Sequence, residues 1–410
     1  MAPSPTPDLQ ISAPRPTGAD RAAWLVVAVL LLFSIAAPLN QFKVPPILPI
    51  VMQSFAISVG TAGLTMSVFV ITGLLLALPA GLIFQRAGYR LTTMLAGGSI
   101  VAGTVWGALS PDFSSLLASR VIEGIGTSFM AVMAPAVVAV WFPAHQRGVA
   151  MGIWSNWVPL GSVIMLFLAP ALALMGTWRT VWWFGAAYAL AVSALALVVV
   201  RPPPARPSEA RAAPPPRAGA MGQVLRNGSL WLVSLAFGLF NLAYIGSITF
   251  LPTYLNTARD VSLPVASEWI GVGAVVSMIS APLAGIVSDR LRSRKIPYVV
   301  GLVLTAVAAP LLVVFTGGGL IAVVALQGFA AGFVAPNIFA AAVEVVADEH
   351  LGGLAMGVVM VGQNAGQLLG PALIGLIVES GAGWAWAFGS LALVYLLAAL
   401  AGAAAKTKPL

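Results

Sequence analysis

The sequence predicts an all-α polytopic membrane protein of twelve helices in two similar six-helix bundles. Three observations carry this expectation. Hydrophobic residues make up 60% of the chain and charged residues only 8%, whereas soluble domains run near about 25% charged. Apolar stretches long enough to cross a hydrocarbon core recur along nearly the whole length. The second half also repeats short motifs of the first at an offset of about 205 residues. Because no cysteine is present, disulfides, thiolate metal sites and cysteine nucleophiles are excluded. The net charge of +8 comes from basic residues lying between apolar runs, which fits a membrane surface rather than nucleic acid.

Residues 1–23 are rich in Pro, Ser and Ala, with Arg15 and Arg21 just before the first apolar run. That run, from Trp24, outlasts the short core of a cleaved signal, so the first helix is expected to stay as an anchor behind a cytoplasmic tail. The first bundle, 24–200, is read as spans at 24–50, 61–83, 91–110, 115–141, 149–174 and 180–200. A linker, 201–227, follows; its portion RPPPARPSEARAAPPPRAGA holds prolines and charges that neither insert nor pack. The second bundle, 228–404, has spans at 228–255, 266–288, 296–316, 320–346, 354–378 and 384–404, and 405–410 form a second tail. Helices are required because an unpaired backbone group in lipid costs several kcal/mol, and the runs are too long and too unalternating for barrel strands.

With the N-terminus cytoplasmic, sixteen of the 20 basic residues fall on one face. They include Arg86, Arg90, Arg147, Arg290, Arg292, Arg294 and Lys295. The opposite face keeps Arg179 and Arg259, while Lys43 and Arg120 fall inside spans. The excess places both termini in the cytoplasm of a cell surrounded by a plasma or inner membrane.

The repeat is clearest between LPAGLIFQRAGYR, ending at Arg90, and APLAGIVSDRLRSRK, ending at Lys295, which sets Gly81 against Gly285 and Arg86 against Arg290. His145 falls opposite His350, GVAMG from Gly148 opposite GLAMG from Gly353, Gly161 opposite Gly366, and Pro170 opposite Pro371. Transporters are commonly built from such duplications, with substrate bound between the repeats near the midplane. The loops GLIFQRAGYR and GIVSDRLRSRK resemble the first-loop motif of the major facilitator superfamily, Gly-x-x-x-Asp-Arg-x-Gly followed by basic residues, and its second-half copy. The resemblance implies that fold over essentially the whole chain. It further implies that Gln85, Arg86, Arg90, Asp289 and Arg290 form a conformational latch, with Gln85 standing where the motif has an acid. A simpler role for these arginines is to anchor topology.

SRVIEGIG, from Ser119, resembles the superfamily's fourth-helix motif Arg-x-x-Gln-Gly-x-Gly, with Glu123 in place of Gln. Arg120 and Glu123 lie three residues apart on one helix face, and a lone charge at membrane depth costs at least about 2.5–3.5 kcal/mol, so such residues face partners or a cavity. The resemblance implies a part for Arg120 in substrate binding or proton coupling. Glu123 is either a proton carrier or the counter-ion of Arg120. In the first helix PLNQFKVPPILP, Pro38 to Pro49, interrupts the apolar run. Lys43 lies about 28 Å of helical rise from Trp24, so it either contacts substrate or snorkels to the outer interface. Asn40 lies one turn before it.

Polar residues of other spans complete the candidate binding set: Asn156 between Trp154 and Trp157 in the fifth, Asn241 and Tyr244 in the seventh, and Gln363, Asn364 and Gln367 in the eleventh. Lys43 and Arg120 facing one cavity would favour a small anion. The segment LNQFKVPPILP, with AMGIWS and TWRTVWWFGAAYA, is also distantly similar to the cyanate-porter group, which implies an anionic substrate. The expected function is a secondary active transporter for a small anionic solute, coupled to protons or an exchanged ion. Its rivals are a proton-driven multidrug or metabolite exporter and a non-transporting receptor or scaffold. No GxxxxGK[ST] loop offers a nucleotide site, no His/Cys spacing suggests a metal, and no enzyme chemistry or cofactor is expected. The partners are the solute, protons and the lipid bilayer, and a monomer is expected to suffice.

Overall fold

A computed structural model describes residues 18–76, 79–142, 144–200, 220–346 and 351–407. Most of the expected linker, the tail residues before Gly18 and His350 lie outside the described residues. All regular structure within them is helical. Eleven runs are long and apolar enough to cross a membrane, and the last of them, Gly352–Ala404, contains two helices. Twelve spans result. In the first half they are α1 Gly18–Phe42, α2 Val59–Leu76, α3 Arg86–Leu109, α4 Phe113–Trp141, α5 in the two pieces Ala144–Trp154 and Trp157–Met175, and α6 Trp178–Val199. The second half holds α7 Gly228–Arg259, α8 Leu263–Arg290, α9 Lys295–Val314, α10 Gly317–Val346, α11 Gly352–Ile377 and α12 Gly383–Ala404.

Besides the 3₁₀ stretch Val68–Val70 within α2, three places depart from unbroken helices, each for a local reason. The first span does not run on to residue 50 as one helix: α1 stops at Phe42, a 3₁₀ turn covers Pro45–Ile47, and a separate helix runs Leu48–Phe55. Pro45 and Pro46 lack the amide hydrogens that would bond the carbonyls of Gln41 and Phe42. The fifth span breaks at Ser155–Asn156, because Pro159 likewise removes the donor for the Ser155 carbonyl. Near the start of α3 the chain turns at Gly88, whose φ of 70° suits glycine. Arg292, at the matching place in the second half, takes a φ of 49°.

The duplication extends to packing. α1 meets α5 and α6 as α7 meets α11 and α12, and α3 meets α4 and α6 as α9 meets α10 and α12. Gly161 of α5 lies against Pro38 and Leu39 of α1, while Gly366 of α11 lies against Gly238 and Leu242 of α7. Gly124 of α4 presses on Phe69 of α2, and Gly328 of α10 on Gly273 of α8.

The two arginines of the sparsely charged face have matching duties. Arg179 donates to the carbonyls of Ala108 (3.1 Å) and Ser110 (3.0 Å) at the end of α3. Arg259 donates to Val313 at the end of α9 and to the Tyr254 hydroxyl. Each places a positive charge at a helix C-terminus, where unsatisfied carbonyls concentrate negative potential.

Between the halves, α2 packs on α11, the second piece of α5 on α8, and α7 on the Pro45–Ile47 turn. These contacts concentrate toward the sparsely charged face. A β-carbon placed on Gly63 would lie 2.6 Å from the Pro371 carbonyl oxygen, and one on Gly375 would lie 2.7 Å from the Gly60 α-carbon. Toward the basic face, β-carbons on Gly148, Gly152, Gly285, Gly353 and Gly357 would meet nothing within 4 Å.

Candidate functional site

The break after α1 creates the demand that the site fills. Arg120, on α4, donates from Nη2 to the Gln41 carbonyl freed by Pro45 (3.0 Å) and from Nη1 to the Asn40 carbonyl (2.6 Å). Its Nε donates to the Thr65 carbonyl (3.1 Å) on α2, just before the stretch Val68–Val70 tightens into 3₁₀ geometry. One guanidinium therefore satisfies carbonyls at irregular points of two helices, using the planar fork of donors that distinguishes arginine from lysine.

Charge balance comes from Glu123, one turn along α4. Its Oε2 accepts from Arg120 Nη1 at 2.5 Å and its Oε1 from Lys43 Nζ at 2.9 Å. All three side chains are 0% exposed. Lys43 also donates to Asn40 Oδ1 (2.9 Å), which accepts from Thr104 Oγ1 of α3 (3.2 Å) as well. Asn40 Nδ2 donates to the Ala36 carbonyl. The cations lie over aromatic faces: Lys43 Nζ is 4.4 Å from the Trp182 ring centroid and Arg120 Cζ 4.5 Å from that of Phe69. Two cations and one carboxylate give the cluster a formal charge of +1. Lys43 does not reach the outer interface; it turns into the first bundle, and Glu123 is counter-ion to both cations.

Small residues make room for this chemistry. A β-carbon on Gly103 would come within 2.8 Å of Glu123 Cγ, and one on Gly185 within 2.3 Å of Asn40 Oδ1. α3 and α6 therefore approach closely enough to seal the ions from lipid.

The second half contributes neutral amides. Gln41 of α1 donates from Nε2 to Gln367 Oε1 (3.3 Å), and Gln367 Nε2 donates to Asn241 Oδ1 (3.1 Å). Asn241 Nδ2 returns to the Phe237 carbonyl of its own helix. Tyr244 stacks on Phe240, with centroids 5.4 Å apart. Asn364 donates to the Met360 carbonyl, and its Oδ1 lies beside Gly73 of α2. Gln363 Oε1 is buried without a hydrogen-bond partner among the described residues. Asn156 bonds back to the carbonyls of Gly152 and Ile153 at the α5 break, where Trp154 stacks on Trp157 and donates to Ser34. The candidates thus fall into the charged cluster of Asn40, Lys43, Arg120 and Glu123, the amides Asn241 and Gln367 joined to it through Gln41, and Asn156, Tyr244, Gln363 and Asn364, which among the described residues are hydrogen-bonded to neither group.

At the basic face, Asp289 pairs with Arg294 (2.6 Å) and not with Arg290, and Arg294 also reaches Glu344 on α10 (3.2 Å). Among the described residues Arg86, Arg90 and Arg290 make no ion pair; the side chain of Gln85 lies outside them. Arg294 is favoured because the chain turns back at Arg292, so a residue beyond the turn returns to the helix end.

Sequence reasoning passed over Gln41, Thr104, Trp182 and Arg294. For Gln41 a signal existed: it stands four residues before a proline, which marks its carbonyl as needing a partner. The other three depend on which helices are neighbours.

The profile of the Major Facilitator Superfamily matches residues 26–292 and 258–409. The chain belongs to this superfamily. Among curated relatives, a hexuronate transporter of Bacillus subtilis is 25% identical over 396 residues, covering 92% of this chain and 93% of that one. A chloramphenicol resistance protein of Streptomyces lividans is 29% identical, covering 67% of each chain. Among solved structures, a bacterial homolog of the human lysosomal transporter Spinster superposes with a TM-score of 0.76 at 18% identity, covering 94% of this chain and 96% of its own. That likeness establishes the fold, and the family establishes a membrane transporter.

Proposed function

We propose that this superfamily transporter moves a small anionic solute, an organic carboxylate or an inorganic anion, by alternating access, with a proton carried on Glu123 as coupling ion. The single observation that carries this reading is the sealed Lys43–Glu123–Arg120 cluster. Glu123 sits between two cations as a built-in anion. Protonating it would release Lys43 and Arg120 to a substrate carboxylate or oxyanion of the same charge. Resting and loaded clusters then both carry +1, so neither buries a larger uncompensated charge than the other. An anion entering without the proton would sit beside Glu123 and be repelled, which ties the two bindings together.

The relative that aligns along nearly its whole length is named a hexuronate transporter, and a hexuronate is an organic carboxylate. The basic face is taken as cytoplasmic. The halves pack together toward the other face, leaving access from the cytoplasm. Proton-driven export of a lipophilic compound is the second reading, favoured by the chloramphenicol resistance relative.

Flux into proteoliposomes with an imposed pH gradient separates these readings. Glucuronate, sulfate and tetraphenylphosphonium serve as probes, repeated in Lys43→Ala and Arg120→Ala. Accumulation of an anion that both substitutions abolish is the expected result. Transport of the cation, untouched by either substitution, would replace anion uptake with export. Binding without accumulation would make the protein a receptor.

A further inference from the structure

Among the described residues, one side-chain hydrogen bond joins the two halves: Gln41 Nε2 to Gln367 Oε1, at 3.3 Å. No salt bridge crosses between them there. The remaining contact between the halves is mostly packing of small and apolar residues, such as Gly63 on Pro371 and Gly271 on Phe167, with the Glu379 carboxylate against Gly60 and Asn364 Oδ1 against Gly73 as polar exceptions. The apolar packing is indifferent to charge, and among the described residues neither polar exception is hydrogen-bonded to the charged cluster. A proton or anion in the first half therefore needs another route to influence the second.

Gln41 occupies that route from both ends. Its backbone carbonyl, left without a helical donor by Pro45, is held by Arg120 Nη2. The residue is 8% exposed, and its side chain donates to Gln367, which passes the chain of donors to Asn241 and on to the Phe237 carbonyl. Arg120 Nη1 is shared between Glu123 and the Asn40 carbonyl. A change in the charge of Glu123 thus alters the guanidinium that fixes the last turn of α1, and with it the aim of the Gln41 amide at α11. Among the described residues, Lys43 of α1 and Arg120 of α4 bond the Glu123 carboxylate, while Phe69 of α2 and Trp182 of α6 cover those two cations and Thr104 of α3 bonds Asn40; the only charged groups of this shell are Lys43 and Arg120.

We infer that Gln41 is the positioning residue through which the charged cluster of the first half controls the packing of the second, so that the Gln41–Gln367 bond is the coupling element of the carrier. Among the described residues its side chain is hydrogen-bonded to neither Lys43 nor Glu123, and it is not needed to hold the anion. The inference rests on the proposed role of Glu123 and adds the means by which that role is felt across the midplane. The donor direction matters: Gln41 gives to Gln367, which gives to Asn241. A leucine at either 41 or 367 cuts the same bond from opposite sides.

The protein contains no cysteine, so spin labels on Gly148→Cys and Gly353→Cys report the separation of α5 and α11 at the basic face without background, and neither site has an atom within 4 Å of its β-carbon. Double electron–electron resonance is recorded at high and low pH for the labelled protein and for Glu123→Gln, Gln41→Leu and Gln367→Leu added singly. Gln41→Leu and Gln367→Leu are also each combined with Glu123→Gln. Low pH, or Glu123→Gln at any pH, is expected to raise the short-separation population about fivefold or more. Gln41→Leu and Gln367→Leu are each expected to abolish that response. A role in stability alone would lower the melting temperature and leave the pH response intact. A response that survives both leucine substitutions overturns the coupling inference while leaving the proton site standing. No response in the unsubstituted labelled protein or in Glu123→Gln overturns the proton reading and the inference together. Gln367→Leu keeps the test decisive if α1 tolerates no change at position 41.

Discussion

The fourth and tenth helices occupy matching places and solve the same packing problem, yet only α4 carries fully buried ions, the one acid of α10, Glu344, lying near its basic-face end. In α4, Gly124 lets α2 approach, and the preceding residues are Arg120 and Glu123, ion-paired with each other and Lys43. In α10, Gly328 lets α8 approach, while the corresponding positions hold Val324, packed near Gly273, and Gln327, which donates to the Tyr395 hydroxyl at 3.5 Å. A glycine contact is therefore sufficient for the fold, and the charges must be explained by something else. Part of the explanation is local: α1 breaks at Pro45 and leaves carbonyls that a guanidinium can fill. The unbroken α7 carries Pro252 within its helix and has no equivalent of Lys43.

The largest contrast is expected from Glu123→Leu against Gln327→Leu. The first leaves two buried cations without a counter-ion and should cost about 3–5 kcal/mol. The second removes one neutral hydrogen bond and should cost about 1 kcal/mol. Melting curves in one detergent check the pair, and equal losses would erase the distinction between the halves. Lys43→Met should cost less than Glu123→Leu, because Glu123 keeps Arg120, yet it should abolish anion flux as completely. Stability and uptake measured on the same preparation separate those two effects.

A conformational pair comes next. Gly63→Leu wedges apart the seam with Pro371, whereas Gly152→Leu adds bulk where nothing lies within 4 Å. Accessibility of single cysteines to thiol reagents should shift toward the sparsely charged face for the first. The second should leave the present state alone. The smallest expected effect is a gain: Arg292→Gly relieves a φ of 49° at the place where the first half already has Gly88, and should add roughly 0.5 kcal/mol or more to stability.

The twelve spans were legible because lipid demands apolar length and internal backbone bonding, and both are written in composition. Their interruptions were less so. The paired prolines of the first span announced a break, but the helix was expected to reach residue 50 and stops at Phe42; the break in α5 was missed because Pro159 lies inside an otherwise apolar run. Arg120 and Glu123 stood out as charges at depth, and their spacing put them on one face. That Lys43 joins them was not legible, since it depends on where α1 kinks relative to α4. The same holds for Arg294, whose pairing with Asp289 requires the turn at Arg292, and for Trp182, which reaches Lys43 only because α6 lies beside α1.

Binding of a transported anion as a function of pH tests the role of Glu123 most directly. If the anion replaces the Glu123 carboxylate between Lys43 and Arg120, its affinity should rise as pH falls, approaching tenfold per unit where one proton is bound with it. Calorimetric titration with the anion identified by flux would measure this slope in the native protein and in Glu123→Gln. The expected result is a slope in the native protein and none in the variant, whose affinity stays at the native low-pH value. A variant that keeps the native slope would show that the coupling proton binds elsewhere.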